Sequence, residues 1–351
     1  HFTTTKAHIT RLGGEVVELV TASGLEPQND NPFKGDFDIP ALRKLIAEKR
    51  DRIPFLRIET GTNLIGGQPI SMKNIKEVCA LCRENGIRTV IDASLMQDNL
   101  YFIKVREPEY KDVPLKDIMH ELADISDIIY FSARKLGFSR GGAIITKHEN
   151  IYREMMEFIP LYEGFLTYGG MEVRSMEAMA QGLYESLDME IISQGPLFIE
   201  YLVKELDDYG VPMVKPAGGL GAHINASAFL PDMPHNVYPA AALAAAVYIA
   251  GGIRGMERGT LSEQREEDGT ERYAELELLR LACPRRVFTL SQIKYCADRV
   301  KWLYDNRELI GGLEWVEEPK VLRFFFGRLK PIGDWQQKLM NKFREDFGDS
   351  L

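Results

Sequence analysis

The sequence predicts an α/β fold, with a large domain around a mostly parallel central sheet and a smaller α+β domain after it. Three observations carry this reading. Short apolar runs of strand length, RTVIDA (88–93), DIIYFS (127–132) and AIIT (143–146), are bounded by polar or glycine residues, as buried strands of a parallel sheet are. A helical segment and a loop precede the first of them and complete a β-loop-α-β unit. The length of 351 residues accommodates two domains, or one large α/β domain with an appendage.

Taken in order, residues 13–20 fit a strand. Lys34-Gly35 marks a turn, Asp38 a helix N-cap, and an amphipathic helix starts near Pro40. IPFLRIE (53–59) reads as a buried strand. TNLIGGQPISM (62–72) is a polar, glycine-rich loop, and glycines there permit close approach to a ligand. A helix from about Ser71 to Glu84 and the strand ending at Asp92 follow. Residues 101–110 and 115–123 read as helical, and the 127–132 strand, a turn at Lys135 and the Gly141-Gly142 strand come next. From Glu149 the pattern is helical. YEGFLTYGG (162–170) is a loop, and 172–206 is a long helical stretch with Gly195-Pro196 as its break. The domain boundary falls in that stretch, giving domains 1–185 and 186–351. The second domain has two short strands around the glycines of 211–229. A helix over 239–251, the stretches 252–259 and 277–281, a helix at 291–306 and a strand at 321–326 complete it.

Composition narrows the function. The net charge of −9 argues against a nucleic-acid partner, which calls for a basic surface. No apolar run reaches membrane-spanning length; the most apolar stretch, 238–249, reads as a buried helix. Four cysteines fit a reducing compartment, so the expected location is cytoplasmic. Cys79 and Cys82 form a CxxC but recur at helical spacing with apolar neighbours, so they read as packing residues and no metal site is expected.

Asp92 ends one apolar run, and Lys135 follows another. That pair suits pyridoxal 5′-phosphate (PLP), whose ring nitrogen is held protonated by a carboxylate and whose aldehyde condenses with a lysine. The same pair also fits a capping aspartate and a solvated loop lysine.

Eight stretches, in order and compatibly spaced, add to this. They are FTTT (2–5), PFKG (32–35), NLIGGQPISM (63–72), YFIKVREPEYKD (101–112), YEGFLTYGGMEVRSMEAMAQGL (162–183), GIRGMERG (252–259), LRLACPRRVFT (279–289) and EPKVLRFF (318–325). Over nearly the whole chain the sequence resembles the β-eliminating lyases of aromatic amino acids, the family of tyrosine phenol-lyase and tryptophanase, PLP enzymes of fold type I.

The resemblance implies a role for each matching residue. Lys135 forms the Schiff base and acts as the base on the substrate α-carbon. Asp92 pairs with the ring nitrogen, Asn63 bonds the 3-oxygen, Phe2 stacks on the ring and Ser132 donates to the phosphate. Arg280 clamps the substrate carboxylate, a task its fork suits. Read without the family, Phe2 is also a core residue, Asn63 a turn residue and Arg280 a surface ion-pair partner. Thr3, Arg258 and Phe324 lean toward the tyrosine phenol-lyase branch, where these groups recognise and protonate the leaving group. Tyr168 reaches a neighbouring site in a homo-oligomer, a dimer or tetramer. The implied reaction is β-elimination from an aromatic or otherwise β-substituted L-amino acid, releasing pyruvate and ammonia. The alternatives are transamination or β-replacement on the same scaffold.

The chain also departs from the family. Leu95 stands in place of an arginine near the cofactor, and Arg134 precedes Lys135. Arg140 occupies a position whose carbonyl helps hold a monovalent cation, and its guanidinium opposes a potassium ion there. The 218–223 stretch differs from the family pattern, which withholds a role from His223. Roughly a hundred residues that precede FTTT in the family lie outside this chain, and they supply the main phosphate loop and a catalytic tyrosine. They are expected in a longer form of the chain or as a separate N-terminal polypeptide.

Overall fold

In the computed structural model, which describes residues 1–162, 164–266 and 268–348, the chain opens on helix α1 (Thr3–Arg11). Residues 13–20 do not form the predicted strand. No ladder forms there, and only Val20 bridges to Phe37. Helix α2 (Ile39–Lys49) starts as predicted, with the Asp38 carboxylate accepting from the Ala41 amide at 2.9 Å. Then come β1 (Phe55–Glu59) and α3 (Met72–Glu84), the latter capped by Ser71. Cys79 and Cys82 are free thiols buried on α3.

β2 (Arg88–Asp92) leads into α4 (Met96–Arg106), which begins five residues earlier than predicted. After α5 (Leu115–Ile125), β3 (Ile128–Ser132) and β4 (Gly142–Thr146) complete a sheet of order β1-β2-β3-β4. The first three strands are parallel, and their register sets Glu59, Asp92 and Tyr130 side by side in one row at the carboxyl ends. β4 corrects the expectation of another buried parallel strand: it runs antiparallel to β3, with Ile144 and Ile145 exposed. The connection through Lys135 is too short for a parallel crossover, which takes a dozen or more residues.

The helical stretch that follows comprises α6 (Glu149–Tyr162), α7 (Val173–Glu185), α8 (Met189–Ile192) and α9 (Gln194–Asp208). Glu163 of the YEGFLTYGG motif lies outside the described residues. The break comes at Ser186–Asp188 and not at Gly195-Pro196, which sit in the first turn of α9, where a proline costs no hydrogen bond.

Only one of the two strands expected over 211–229 forms, β5 (Gly221–Asn225), with Met213 making an isolated bridge to it. After α10 (Ala226–Phe229) comes α11 (Pro239–Gly251), whose run of alanines lets neighbours pack close around it. β6 (Met256–Arg258) and β7 (Leu278–Ala282) join β5 in an antiparallel sheet of order β5-β7-β6. Its register lines up His223, Arg280 and Met256 across the three strands.

Helix α12 (Leu290–Asp305) carries a full capping box from Thr289 and Gln292. The strand predicted at 321–326 is instead the short helix α13 (Arg323–Phe326), entered through Leu322 at φ +53°. It lies between the strands of a hairpin, β8 (Leu313–Glu317) and β9 (Arg328–Pro331), before the final helix α14 (Trp335–Phe347).

Two buried apolar clusters form. One includes Leu42, Ile58, Ile75, Ile91, Ile103 and Leu122, and the other includes Ile199, Leu206, Ile224, Leu243, Leu279 and Val300. At one point between the two halves backbone meets backbone in a glycine seam, where the Gly219 amide donates to the Gly67 carbonyl at 2.7 Å. A Cβ on Gly67 (φ +67°) would stand 2.2 Å from the Gly219 oxygen, so only glycine fits. Among the described residues no helix is long and apolar enough to cross a membrane.

Candidate active site

The carboxyl ends of β1, β2 and β3 face the small antiparallel sheet, and most of the predicted residues converge there. Asp92 ends β2. Its Oδ1 accepts from the Ser94 amide at 3.0 Å, and its Oδ2 accepts from Arg57 Nη2 at 2.5 Å and from the Tyr130 hydroxyl at 3.0 Å. Burial pushes this carboxyl up, but Arg57 and the bonds from Ser94 and Tyr130 outweigh it and hold Asp92 below the usual carboxylate range.

Lys135 lies in the turn after β3, and its amide donates to the Ser132 carbonyl at 3.0 Å. Its ammonium stands 5.6 Å from the centre of the Phe2 ring. Burial lowers the Lys135 pKa; Asp92 and Glu59 oppose this, while Arg280 and Arg258 add to it. Ser132 is half-buried, and its amide donates to Ser94 Oγ at 3.2 Å.

Phe2 and Thr3 enter on α1, which Lys6 ties to Glu263 at 2.7 Å. Thr3 is buried, and its hydroxyl lacks a hydrogen-bond partner. Arg258 ends β6 with its guanidinium 5.9 Å from the Phe2 ring centre and 5.6 Å from that of Phe324. Phe324 is positioned by its neighbour Arg323, which is 1% exposed. Arg323 donates to the carbonyls of Thr260 and Glu263 and to the carboxylates of Glu271 and Glu318.

Arg280, in the middle of β7, donates from Nη1 to Asn63 Oδ1 at 2.8 Å and from Nη2 to the Met256 sulfur at 2.6 Å. Burial and then the neighbouring Arg258 push its pKa down to about 9. Asn63 is buried in the turn after β1, and accepting from Arg280 fixes its amide so that the nitrogen is left to donate. His223, beside Arg280 in the sheet, is 2% exposed; burial and then Arg280 push it down to about 3, so the ring is neutral.

Tyr168 lies apart in an exposed loop, its ring 6.1 Å from that of Phe165. Leu95, at the position of the family's arginine, is buried against Gly61. Arg140 is exposed in the β3–β4 connection.

Sequence reasoning missed Arg57, Glu59 and Tyr130. The signal was an arginine and a glutamate two apart in an otherwise apolar strand, hence on one face of it. A cavity of about 420 Å³ opens alongside, lined by Thr5, Lys6, Arg57, Glu59 and Thr62 among others.

The cluster fits an anionic, aromatic ligand such as PLP. Thr3 Oγ1, Arg258 Nε, Arg280 Nε and His223 Nε2 are buried polar atoms without partners, groups that a bound polar molecule can satisfy. The set also holds an amine, an ionised carboxylate and an aromatic face.

Comparison with known proteins agrees. The family model described as "Beta-eliminating lyase" matches residues 1–299. A tyrosine phenol-lyase of Pasteurella multocida is 42% identical over 334 residues, covering 94% of this chain and 73% of that protein. A tryptophanase of Salinibacter ruber is 39% identical, covering 94% and 70%. The match takes in almost the whole of this chain but only part of that relative's length. The solved structure of Leishmania major threonine aldolase, at 15% identity, matches with a TM-score of 0.50 over 78% of this chain and 69% of that one. That likeness concerns the fold alone, the α/β architecture of PLP fold type I.

Proposed function

Since this chain belongs to the β-eliminating lyase family, a family of PLP-dependent lyases, we propose that it removes the β-substituent of an aromatic or similar L-amino acid, releasing pyruvate and ammonia. The observation that carries this reading is the meeting of Lys135, Phe2, Asp92, Asn63, Arg258 and Arg280 between the two sheets. Lys135 would hold PLP through its amine, Asp92 would face the ring nitrogen, Phe2 would cover the ring, Asn63 would donate to the ring oxygen and Ser132 to the phosphate. When bound, PLP supplies the electron sink that makes the substrate Cα–H acidic.

The remaining chemistry belongs to the chain. Arg280, held by Asn63 and Met256, binds the substrate carboxylate and fixes which face of Cα is presented. Lys135 takes the proton from Cα. Burial keeps its amine closer to neutrality, which a base requires. The Cβ–substituent bond then breaks, and the departing group takes up a proton. Thr3 and Arg258 serve that end of the site: the Thr3 hydroxyl is unpartnered and Arg258 is nearly buried. Phe324 closes it as an aromatic wall. The three-carbon fragment hydrolyses to pyruvate and ammonia.

The relatives named tyrosine phenol-lyase support a phenol-like leaving group. Leu95 favours a substrate other than free tyrosine, because it takes a cation away from the site. Arg140 argues against a potassium requirement. We further place the domain division near Glu185, in the helical stretch between the two sheets, and assign a homo-oligomer in which Tyr168 serves a neighbouring copy. Four free thiols favour a cytoplasmic setting.

The test is to add PLP to the purified protein and record its visible absorption, then to assay aromatic amino acids for pyruvate. A band that Lys135→Ala abolishes, together with pyruvate formation, supports the reading. A keto acid that retains the substrate side chain would mark transamination instead, and the absence of any band would overturn PLP chemistry.

A further inference from the structure

Asp92 is held by groups that no family resemblance supplied. Arg57 and Glu59 lie on the same face of β1, and the sheet register sets Glu59 beside Asp92 and Asp92 beside Tyr130. The Arg57 guanidinium divides itself three ways. Nη2 donates to Asp92 Oδ2 at 2.5 Å, Nη1 to Glu59 Oε2 at 2.9 Å, and Nε to the Tyr130 hydroxyl at 2.7 Å. Tyr130 accepts from Arg57 and donates to the same Asp92 Oδ2 at 3.0 Å, so its hydroxyl proton has one direction. Oδ2 is thus filled by two donors. Oδ1 takes only the Ser94 amide at 3.0 Å and keeps a lone pair to offer. The side chains of Arg57 and Asp92 are each 11% exposed, so water screens the pair weakly.

We propose that Arg57, assisted by Tyr130, is a positioning residue that keeps Asp92 an anion, so that the proton shared with the ring nitrogen of bound PLP rests on the ring and not on the carboxyl. This rests on the PLP reading above. A proton shared by two bases sits on the one with the higher affinity. A guanidinium in direct contact with Oδ2 lowers the affinity of the carboxylate, while the ring meets the other oxygen. Glu59 matters to the balance: Arg57, Glu59 and Asp92 together carry one net negative charge, so the row still attracts a protonated ring. Asp92 alone, as buried as it is, would drift toward its neutral form. The ring would then lose its proton to the carboxyl and its capacity as an electron sink.

The test loads the protein with PLP labelled with ¹⁵N at the ring nitrogen and reads that resonance, together with PLP affinity by titration. Asp92→Asn gives the reference position for an unprotonated ring. Wild-type protein is expected at the protonated position. Arg57→Leu should move toward the Asp92→Asn reference and bind PLP about tenfold more weakly, the loss of one charge-assisted contact. Tyr130→Phe should move the same way by less, and Arg57→Lys, which keeps the charge without the fork, should fall between wild type and Arg57→Leu. Circular dichroism checks folding; if Arg57→Leu does not fold, Arg57→Lys and Tyr130→Phe carry the comparison. Wild-type resonance and affinity in all the folded variants would overturn the proposal while leaving the PLP reading intact. Wild-type protein that takes up no PLP would overturn the reading, and the proposal with it.

Discussion

Arg280 Nη1 lies 2.8 Å from Asn63 Oδ1, a bond between residues 217 positions apart that joins the small sheet to the turn after β1. The group assigned to the substrate carboxylate therefore touches the group assigned to the cofactor's ring oxygen. Arg280→Lys keeps a charge but loses the planar fork whose fixed directions reach Asn63, Met256 and a carboxylate together. Its kcat/KM should fall about 10- to 100-fold, the range for losing one hydrogen bond to a charged group, with KM rising. Steady-state kinetics of pyruvate release read this directly.

The leaving-group end makes a different prediction. If Arg258 and Thr3 serve departure of the β-substituent, Arg258→Leu should lower kcat by about 10²- to 10⁴-fold for a phenol-like group that needs a proton. A β-substituted alanine with a thiolate leaving group, which departs without that help, should lose far less. Equal losses on both substrates would show that Arg258 only supports the fold.

Stability should carry a mark from Glu257, which lies beside Arg258 in the chain. It is 4% exposed, with Ser262 Oγ at 2.6 Å and the Leu261 amide at 3.1 Å from its two oxygens. Burial and then the nearby Glu277 push its pKa up to about 8. The native state therefore holds a proton that the unfolded chain releases above its ordinary value of 4.5. The contribution is fully present below that value and is lost as pH rises toward 8. Urea unfolding should show stability falling across this window by a few kcal/mol, and Glu257→Gln should flatten that slope.

Arg323 is a buried cation between Glu271 and Glu318, and it also bonds two backbone carbonyls. Arg323→Ala would strip the Thr260 and Glu263 carbonyls of that side-chain donor and leave Glu271 to Tyr238 and Glu318 to Arg265. A loss of about 3 kcal/mol or more in unfolding free energy is expected. The variant should also weaken the aromatic wall at Phe324, which Arg323 precedes.

The large domain was legible where local chemistry and periodicity agreed. Asp38 caps its helix where it was read to do so, the helix read from about Ser71 starts at Met72, and the strands around Asp92 and Ser132 fall within a residue or two of their apolar runs. Residues 13–20 misled because a strand needs a partner, which periodicity does not report. Residues 321–326 misled because LRFFF is apolar enough for a strand, whereas Leu322 turns the chain into a helix that Arg323 anchors through long-range ion pairs. Of the site, the residues within quoted motifs converge as a group. The spacing of Arg57 and Glu59 shows only that they share a face of β1; what brings them and Tyr130 to Asp92 is strand register, a relation between segments distant in sequence.

The glycine seam between Gly67 and Gly219 has a consequence for divergence. Its two sides carry different duties: the turn holding Asn63 belongs to the cofactor side, and the strand holding Arg280 to the substrate side. At that one contact backbone meets backbone, so no side chain there can be exchanged to alter the spacing. The walls around a substrate, such as Phe324 or Thr3, can be exchanged one at a time without disturbing the spacing between the two duties. A lineage can thus retune what it cleaves while inheriting unaltered how it cleaves.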